Sequence, residues 1–286
     1  MIQVIKDMLE YEFWRYAVAG GLMIALVCSV LSVYVVLRRM AFIGQGISHS
    51  AFGGVALGLY LFGAGAHATV GIYGTALVFC ILVAWLIAGT TKEGQISEDS
   101  AIGIFLVVSM AIGIIFFKAA RGYSQDATSY LFGSVLAMTR DELELIVGLG
   151  LIVLLPLVIL QKELLFYTFD ARMARVVGVP VTFLHYLLLT LLSITIVIAA
   201  RLIGIVLISA FLVLPAATAQ LLTSRFGALL ATSVALGLLC TLGGLILSCA
   251  TDVPAGAAIV LAQFSVFLCA LGWRKWHESR RKGHAA

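Results

Sequence analysis

Charge is what this chain has least of. Among 286 residues there are 18 Lys and Arg and 14 Asp and Glu, so 11% are charged, where a soluble domain carries about 25%. That deficit excludes a water-soluble globular enzyme. Cysteine is sparse as well: Cys28, Cys80, Cys240, Cys249 and Cys269 all fall in apolar stretches, and none forms a CxxC pair. They read as small buried hydrophobes, not as a disulfide or metal framework. The phosphate-binding pattern GxxxxGK(S/T) is missing, so any ATP must be bound by another chain. HExxH and the nucleophile-elbow pattern are missing too, which removes support for an intramembrane protease or hydrolase. Paired intramembrane carboxylates, the usual equipment of a proton-driven carrier, are absent, and this speaks against a secondary carrier. The net charge of +4 is spread along the chain except at its end and does not suggest nucleic acid as a partner. Residues 1–15 mix Lys6, Asp7, Glu10, Glu12 and Arg15 and do not read as a secretory signal peptide.

What fills the chain instead is apolar: 62% of residues are hydrophobic and the mean hydropathy is +1.13. Stretches free of Asp, Glu, Lys and Arg run over 16–37, 40–91, 100–117, 145–161, 176–200, 202–224, 226–251 and 253–273. A crossing helix needs about 20 apolar residues, so seven stretches fit one span each and 40–91 needs two. The expected fold is an all-α, polytopic transmembrane helical bundle. Its spans fall near 15–37, 41–62, 69–89, 100–117, 143–161, 181–200, 202–224, 226–249 and 255–273, about nine in all, or eight if one segment only dips into the bilayer. A single domain over 1–286 follows, since no interval between spans exceeds about 25 residues, too few to build a core of its own.

Segment 1–14 reads as an external amphipathic piece. Segment 62–68, with His67, breaks the long apolar run, and 129–138 reads as a short external or re-entrant helix. Glu98 and Asp99 read as an acidic cap on span four, and Asp252 as part of an external turn. The tail 274–286 carries Arg274, Lys275, Arg280, Arg281 and Lys282, so the positive-inside rule makes it cytoplasmic. Nine spans then put the N-terminus outside. On that assignment 12 basic residues face the interior and 6 the exterior.

Three segments depart from plain spans. In RRMAFIGQGISHSAFGGVALG (38–58), Gln45 and His49 stand four apart on one helix face, with Ser48 beside them. An intramembrane His is costly, and imidazole is a common ligand for divalent metals, although a helix–helix hydrogen bond explains such a His equally well. In QKELLFYTFDARMARVVGVP (161–180), the longest cytoplasmic loop, Phe169, Met173 and Val176 alternate at helical spacing with Asp170, Arg172 and Arg175, and Gly178 and Pro180 mark the stop. A short amphipathic helix at 169–178 suits either a cytosolic partner or a lipid surface. In RLIGIVLISAFLVLPAATAQLLTSR (201–225), Pro215 sits mid-span and is followed by Ala216, Ala217, Thr218 and Ala219, a pattern for a kink and a close neighbour or a pathway wall.

Taken together these segments resemble the membrane permease of metal-importing ATP-binding-cassette transporters, the manganese/zinc/iron family (ABC-3). ISEDSAIGI, YLFGSVLAMTRDEL and LSCATDVPAGAAIVL add to the resemblance, which spans some 240 residues in order. It implies a type II importer-like permease in the cytoplasmic (inner) membrane, working as a homodimer. Its partners would be two separate ATPase subunits that bind the ATP and an extracytoplasmic binding protein that delivers metal. No cofactor is held permanently; the cargo is a divalent ion, zinc, manganese or iron, and the subunit performs no covalent chemistry. Through the resemblance Phe169, Asp170, Arg172, Met173, Arg175 and Gly178 become the segment seated in the ATPase. His49 and Gln45 become the metal contact, and Ser48, Pro215 and Thr218 line the pathway. Gln45 stands where the family often has Asp, so only His49 carries over cleanly. His with a neutral oxygen donor suits zinc slightly better than manganese. A permease for larger chelates, of the siderophore or cobalamin type, is the alternative; the shorter length, the span count and His49 argue against it.

Overall fold

The computed structural model describes residues 12–63, 68–91, 96–120, 133, 138–251 and 253–283. Among them are twelve helices and no strand: α1 Glu12–Leu37, α2 Ala41–Phe62, α3 Ala68–Thr91, α4 Glu98–Ala119, α5 Arg140–Ile159, α6 Gln161–Phe169, α7 Ala171–Val176, α8 Val181–Ile203, α9 Ile205–Phe211, α10 Leu214–Leu222, α11 Phe226–Thr251 and α12 Ala255–Gly283. Eight stretches among the described residues are long and apolar enough to cross a membrane, with α9 and α10 counted as one. They match every expected span but 41–62. There α2 has the length, at 22 residues, but Gln45, Ser48, His49 and Ser50 make it too polar to pass by composition.

The bundle is built from the inside out by burial. Every residue from 191 to 200 of α8 is buried, and α1 is nearly as enclosed, so these two helices form the centre. At the rim, Ile104, Val107, Ile114 and Ile115 of α4 and Leu151, Leu155, Val158 and Ile159 of α5 are exposed. Apolar side chains facing outward are what a hydrocarbon solvent selects. Within the bundle α2 packs between α3 and α4, α1 packs on α5 and α11, and α8 joins the two groups.

The sandwich around α2 depends on missing side chains. A Cβ on Gly54 would fall 2.6 Å from the Ala76 Cα of α3, and one on Gly53 would fall 2.6 Å from the Ser109 carbonyl oxygen of α4. With both neighbours at backbone distance, van der Waals packing substitutes for the hydrophobic drive that lipid cannot supply. Ser50 joins in, its hydroxyl 2.8 Å from the Gly46 carbonyl oxygen and 3.1 Å from the Ser109 hydroxyl.

Several local expectations change. Pro215 does not kink a continuous helix: the chain breaks at Leu212 and Val213, and Pro215 lies in the first turn of α10, where its missing N–H disrupts no helical bond. The freed Ala216 N–H donates to Ser32 Oγ of α1 at 3.2 Å, which satisfies a buried helix end from a neighbouring helix. Segment 161–180 is two helices, not one. Span four is capped by Ser97, whose Oγ accepts from the Ser100 N–H, with Glu98 and Asp99 in the first turn. Residues 12–14 belong to α1, while 1–11 lie outside the described residues, as do His67, Asp252, 284–286 and all of 129–138 except Gly133 and Met138. The basic tail continues α12 as far as Gly283.

Gly54→Val is expected to destabilise the protein by about 1–3 kcal/mol through overpacking. Gly74→Val, where an added Cβ meets nothing within 4 Å, should change stability by less than about 0.5 kcal/mol. Thermal melts of the two variants in detergent distinguish them. Ser32→Ala leaves the Ala216 N–H unpaired, and the same melts should register a loss of about 1–3 kcal/mol.

Candidate functional site

With α3 and α4 covering two sides of α2, one face stays open. Between residues 41 and 56 the residues of α2 that are not buried are Ala41, Phe42, Gln45, His49 and Phe52. The spacing from 42 onward, 3, 4 and 3, is that of a single helical stripe. Gln45 looks into a groove of about 710 Å³ formed with α9, α10 and α12, where Ser209, Val213, Leu214, Val260 and Phe264 face it. Gln45, Ser209 and Arg39 are the polar residues of that groove; the remaining lining is apolar. His49 lies one turn further along, half-buried, and among the described residues no hydrogen bond engages its ring.

The other residues expected on the pathway do not line this groove. Ser48 is buried and its hydroxyl donates to the Gln45 carbonyl oxygen at 2.8 Å, within its own helix. Thr218 is buried and donates to the Leu214 carbonyl oxygen at 2.7 Å. Neither these two nor Pro215 line the groove; Leu214, next to Pro215, does. Among the described residues no three His, Cys, Asp or Glu side chains gather closely enough to hold a metal ion. One copy of the chain thus offers an imidazole and an amide on an open stripe, which is half of a coordination sphere at most.

At one end of the bundle Asp170 separates α6 from α7. Its backbone is extended, at φ −147° and ψ 90°, and Oδ1 accepts the N–H groups of Arg172 at 3.0 Å and Met173 at 2.9 Å. The carboxylate is thus an N-cap that starts a new helix in a new direction. Ala174 anchors α7, being fully buried, while Phe169, Met173, Val176 and Val177 are all more than half exposed beside Arg172 and Arg175. Gly178 ends the helix at φ 92°, the left-handed conformation that Gly adopts without penalty. The result is a small apolar knob ringed by guanidinium groups, well shaped for insertion into a groove on another protein.

A cluster that sequence reasoning missed supports this knob from behind. Arg38, in the turn between α1 and α2, donates from Nη2 to Tyr167 Oη at 2.9 Å and from Nη1 to the Tyr167 carbonyl oxygen at 3.4 Å. Its guanidinium carbon also lies 4.1 Å from the centre of the Tyr167 ring. Tyr167 Oη lies 2.9 Å from His185 Nδ1 at the start of α8. Because the phenol oxygen accepts from Arg38, its own proton is free to be donated to His185. Burial pushes the Tyr167 hydroxyl's pKa up, and the Arg38 charge opposes this only in part, so the phenol stays neutral. In the sequence Arg38 marks only a loop, and Tyr167 and His185, 18 residues apart, share no periodicity.

The profile of the ABC 3 transport family matches residues 10–274. The manganese transport system membrane protein MntC of Halalkalibacterium halodurans is 34% identical over 288 residues, covering 98% of this chain and 96% of that protein. A probable iron transport system membrane protein of Haemophilus influenzae is 34% identical over 276 residues, covering 96% of this chain and 98% of its own length. Among solved structures, PsaBC from Streptococcus pneumoniae in complex with Fab has a TM-score of 0.84 at 33% identity, with 94% of this chain and 95% of that chain covered. A family match over nearly the whole length, joined to a bundle of membrane-length helices, places the protein: the chain belongs to the ABC 3 transport family.

Proposed function

We propose that this protein is the membrane permease of an ATP-driven importer for a divalent transition metal ion, working as a homodimer with two ATPase subunits and an extracytoplasmic metal-binding protein. The observation that carries the reading is the open stripe of α2. A Gln and a His cannot face hydrocarbon without cost, so a second copy of the chain or a water-filled pathway must cover Gln45 and His49. Two stripes facing each other across a two-fold axis do both, and bring two imidazoles and two amide oxygens to one place. The knob of α7 is then the seat of an ATPase subunit, and the basic end of the bundle lies in the cytoplasm, with the N-terminus outside.

The bacterial relatives carry manganese or iron in their names. Manganese and ferrous iron therefore stand ahead of zinc as cargo, against the slight preference that His49 and a neutral donor set on their own. Binding in the pathway is weak and transient, and the subunit moves metal without covalent chemistry.

Transport into proteoliposomes holding the permease, its ATPase and its binding protein tests the cargo, with manganese, ferrous iron and zinc compared side by side. His49→Ala should lower uptake at least tenfold while ATPase subunits still co-purify at the parental ratio; undiminished uptake would sink the role of His49. Gln45→Asp should slow release and raise the amount of metal retained per complex, read by elemental analysis after gel filtration.

A second expectation concerns docking. Asp170→Asn keeps an oxygen that can cap α7, whereas Asp170→Ala does not, a difference of about 1 kcal/mol in helix stability. Retention of the ATPase during purification should fall for Asp170→Ala and for Arg175→Glu but hold for Asp170→Asn. Equal loss in both Asp170 variants would assign the effect to charge and not to the cap.

A further inference from the structure

We propose that Arg38, Tyr167 and His185 form the joint through which movement of the α6–α7 segment reaches α2 and its open stripe. The joint rests on the permease reading, in which α7 is the part that an ATPase moves.

Tyr167 is a single residue that ties its own helix to two other parts of the bundle. It belongs to α6, three residues before the Asp170 cap that starts α7. Through its hydroxyl and its main-chain carbonyl it holds Arg38, seven residues before Gln45, and through the same hydroxyl it meets His185 at the head of α8. Tyr167 is only 1% exposed, so these bonds compete little with water. The Arg38 end is stiff: Arg39 has φ 58°, the only non-glycine residue with positive φ among the described residues, and α2 follows directly from Ala41. A helix begun at a constrained turn moves as a rod, so displacement of Arg38 is displacement of the stripe.

Around this point the α6–α7 segment touches α1, α5 and α8. Beside it lies a cavity of about 220 Å³, with Ala171 and Arg175 on the coupling side and Arg38, Thr91 and His185 on the bundle side. The chemistry also suits a joint that must yield. Arg38 is held by a phenol and a carbonyl, both neutral acceptors, so rearrangement strands no buried carboxylate. Arg38, Tyr167 and His185 are accordingly positioning residues, since none of them lines the groove that holds Gln45.

A test must read the groove and not the cargo. In the complex with its ATPase, Ser209→Cys is placed in a chain with Cys249 and Cys269 changed to Ser, the other three cysteines being buried. Its rate of reaction with a maleimide is measured without nucleotide and with ATP bound. The parental chain should show at least a fivefold difference between the two states. Adding Tyr167→Phe keeps the ring over Arg38 and removes the hydroxyl. The difference should then shrink below twofold, while ATPase subunits stay bound at the parental ratio and ATP hydrolysis stays within twofold. A Tyr167→Phe chain that retains the fivefold difference overturns the joint and leaves the permease reading intact. A parental chain with no nucleotide dependence overturns both. Loss of the ATPase from Tyr167→Phe also overturns the joint, because the hydroxyl then serves assembly. Where Tyr167→Phe does not fold, Arg38→Lys, which keeps the charge and loses the two-pronged contact, is measured in its place. A difference below twofold with the ATPase still bound then supports the joint, and a retained fivefold difference or a lost ATPase overturns it.

Discussion

Inside hydrocarbon a polar side chain has no water to bond, and α2 carries four such side chains within six residues: Gln45, Ser48, His49 and Ser50. The bundle disposes of two of them internally. Ser48 donates to its own helix, and Ser50 bonds the Gly46 carbonyl and meets Ser109. The contact with Ser109 requires α4 to lie at backbone distance, and α3 lies as close on the other side, which is why α2 presents Gly53 to one and Gly54 to the other. Gln45 and His49 are left on the one face that its neighbours cover only in part. The same packing that hides half of the polarity of α2 therefore leaves the other half on its outer stripe, where Gln45 meets the groove with α9, α10 and α12.

The far wall of that groove obeys the same rule. A break at Leu212 and Val213 in mid-membrane exposes the N–H groups at the start of α10, and non-helical backbone at that depth is tolerated only where protein or water covers it. Pro215 removes one N–H outright, and Ser32 of α1 accepts the next, that of Ala216. With its backbone so satisfied, the broken helix can bring Val213 and Leu214 to the groove without leaving the bundle. Both walls thus owe their placement to hydrogen bonds made away from the groove.

The spans, their order and the polarity of α2 are legible in the sequence because charge-free length and residue type are local properties. Eight of the nine spans expected from the spacing of Arg38, Lys92, Glu98 and their like are met by helices long and apolar enough to cross, and the ninth, α2, has the length. The break in 205–222 is half legible: Pro215 signals an irregularity, but a kink and a new helix look alike until the partner of Ala216 is known, and Ser32 lies 184 residues away. Asp170 reads as part of a helix because its neighbours keep helical spacing; its own side chain, by accepting two backbone N–H groups, wins locally over that spacing. Arg38, Tyr167 and His185 leave no trace in any pattern. A cluster made by three elements is a product of packing, and periodicity registers only faces.

On the permease reading, Gln45 changes the energetics of the pathway more than its geometry. A carboxylate at this position would attract a dication strongly in a groove whose remaining lining is apolar, since Coulomb attraction grows as the local dielectric falls. A strong site there would fill and then empty slowly, because each 1.4 kcal/mol of added binding lowers the dissociation constant about tenfold. On this reading an amide oxygen would orient the ion without holding it, and Arg39 at the edge of the same groove would oppose accumulation of positive charge. Such a pathway cannot select its ion by affinity. Selection then falls to whatever hands the metal over, and direction falls to the movement delivered at the cytoplasmic end, where Tyr167 ties the coupling segment to the helix that carries Gln45 and His49.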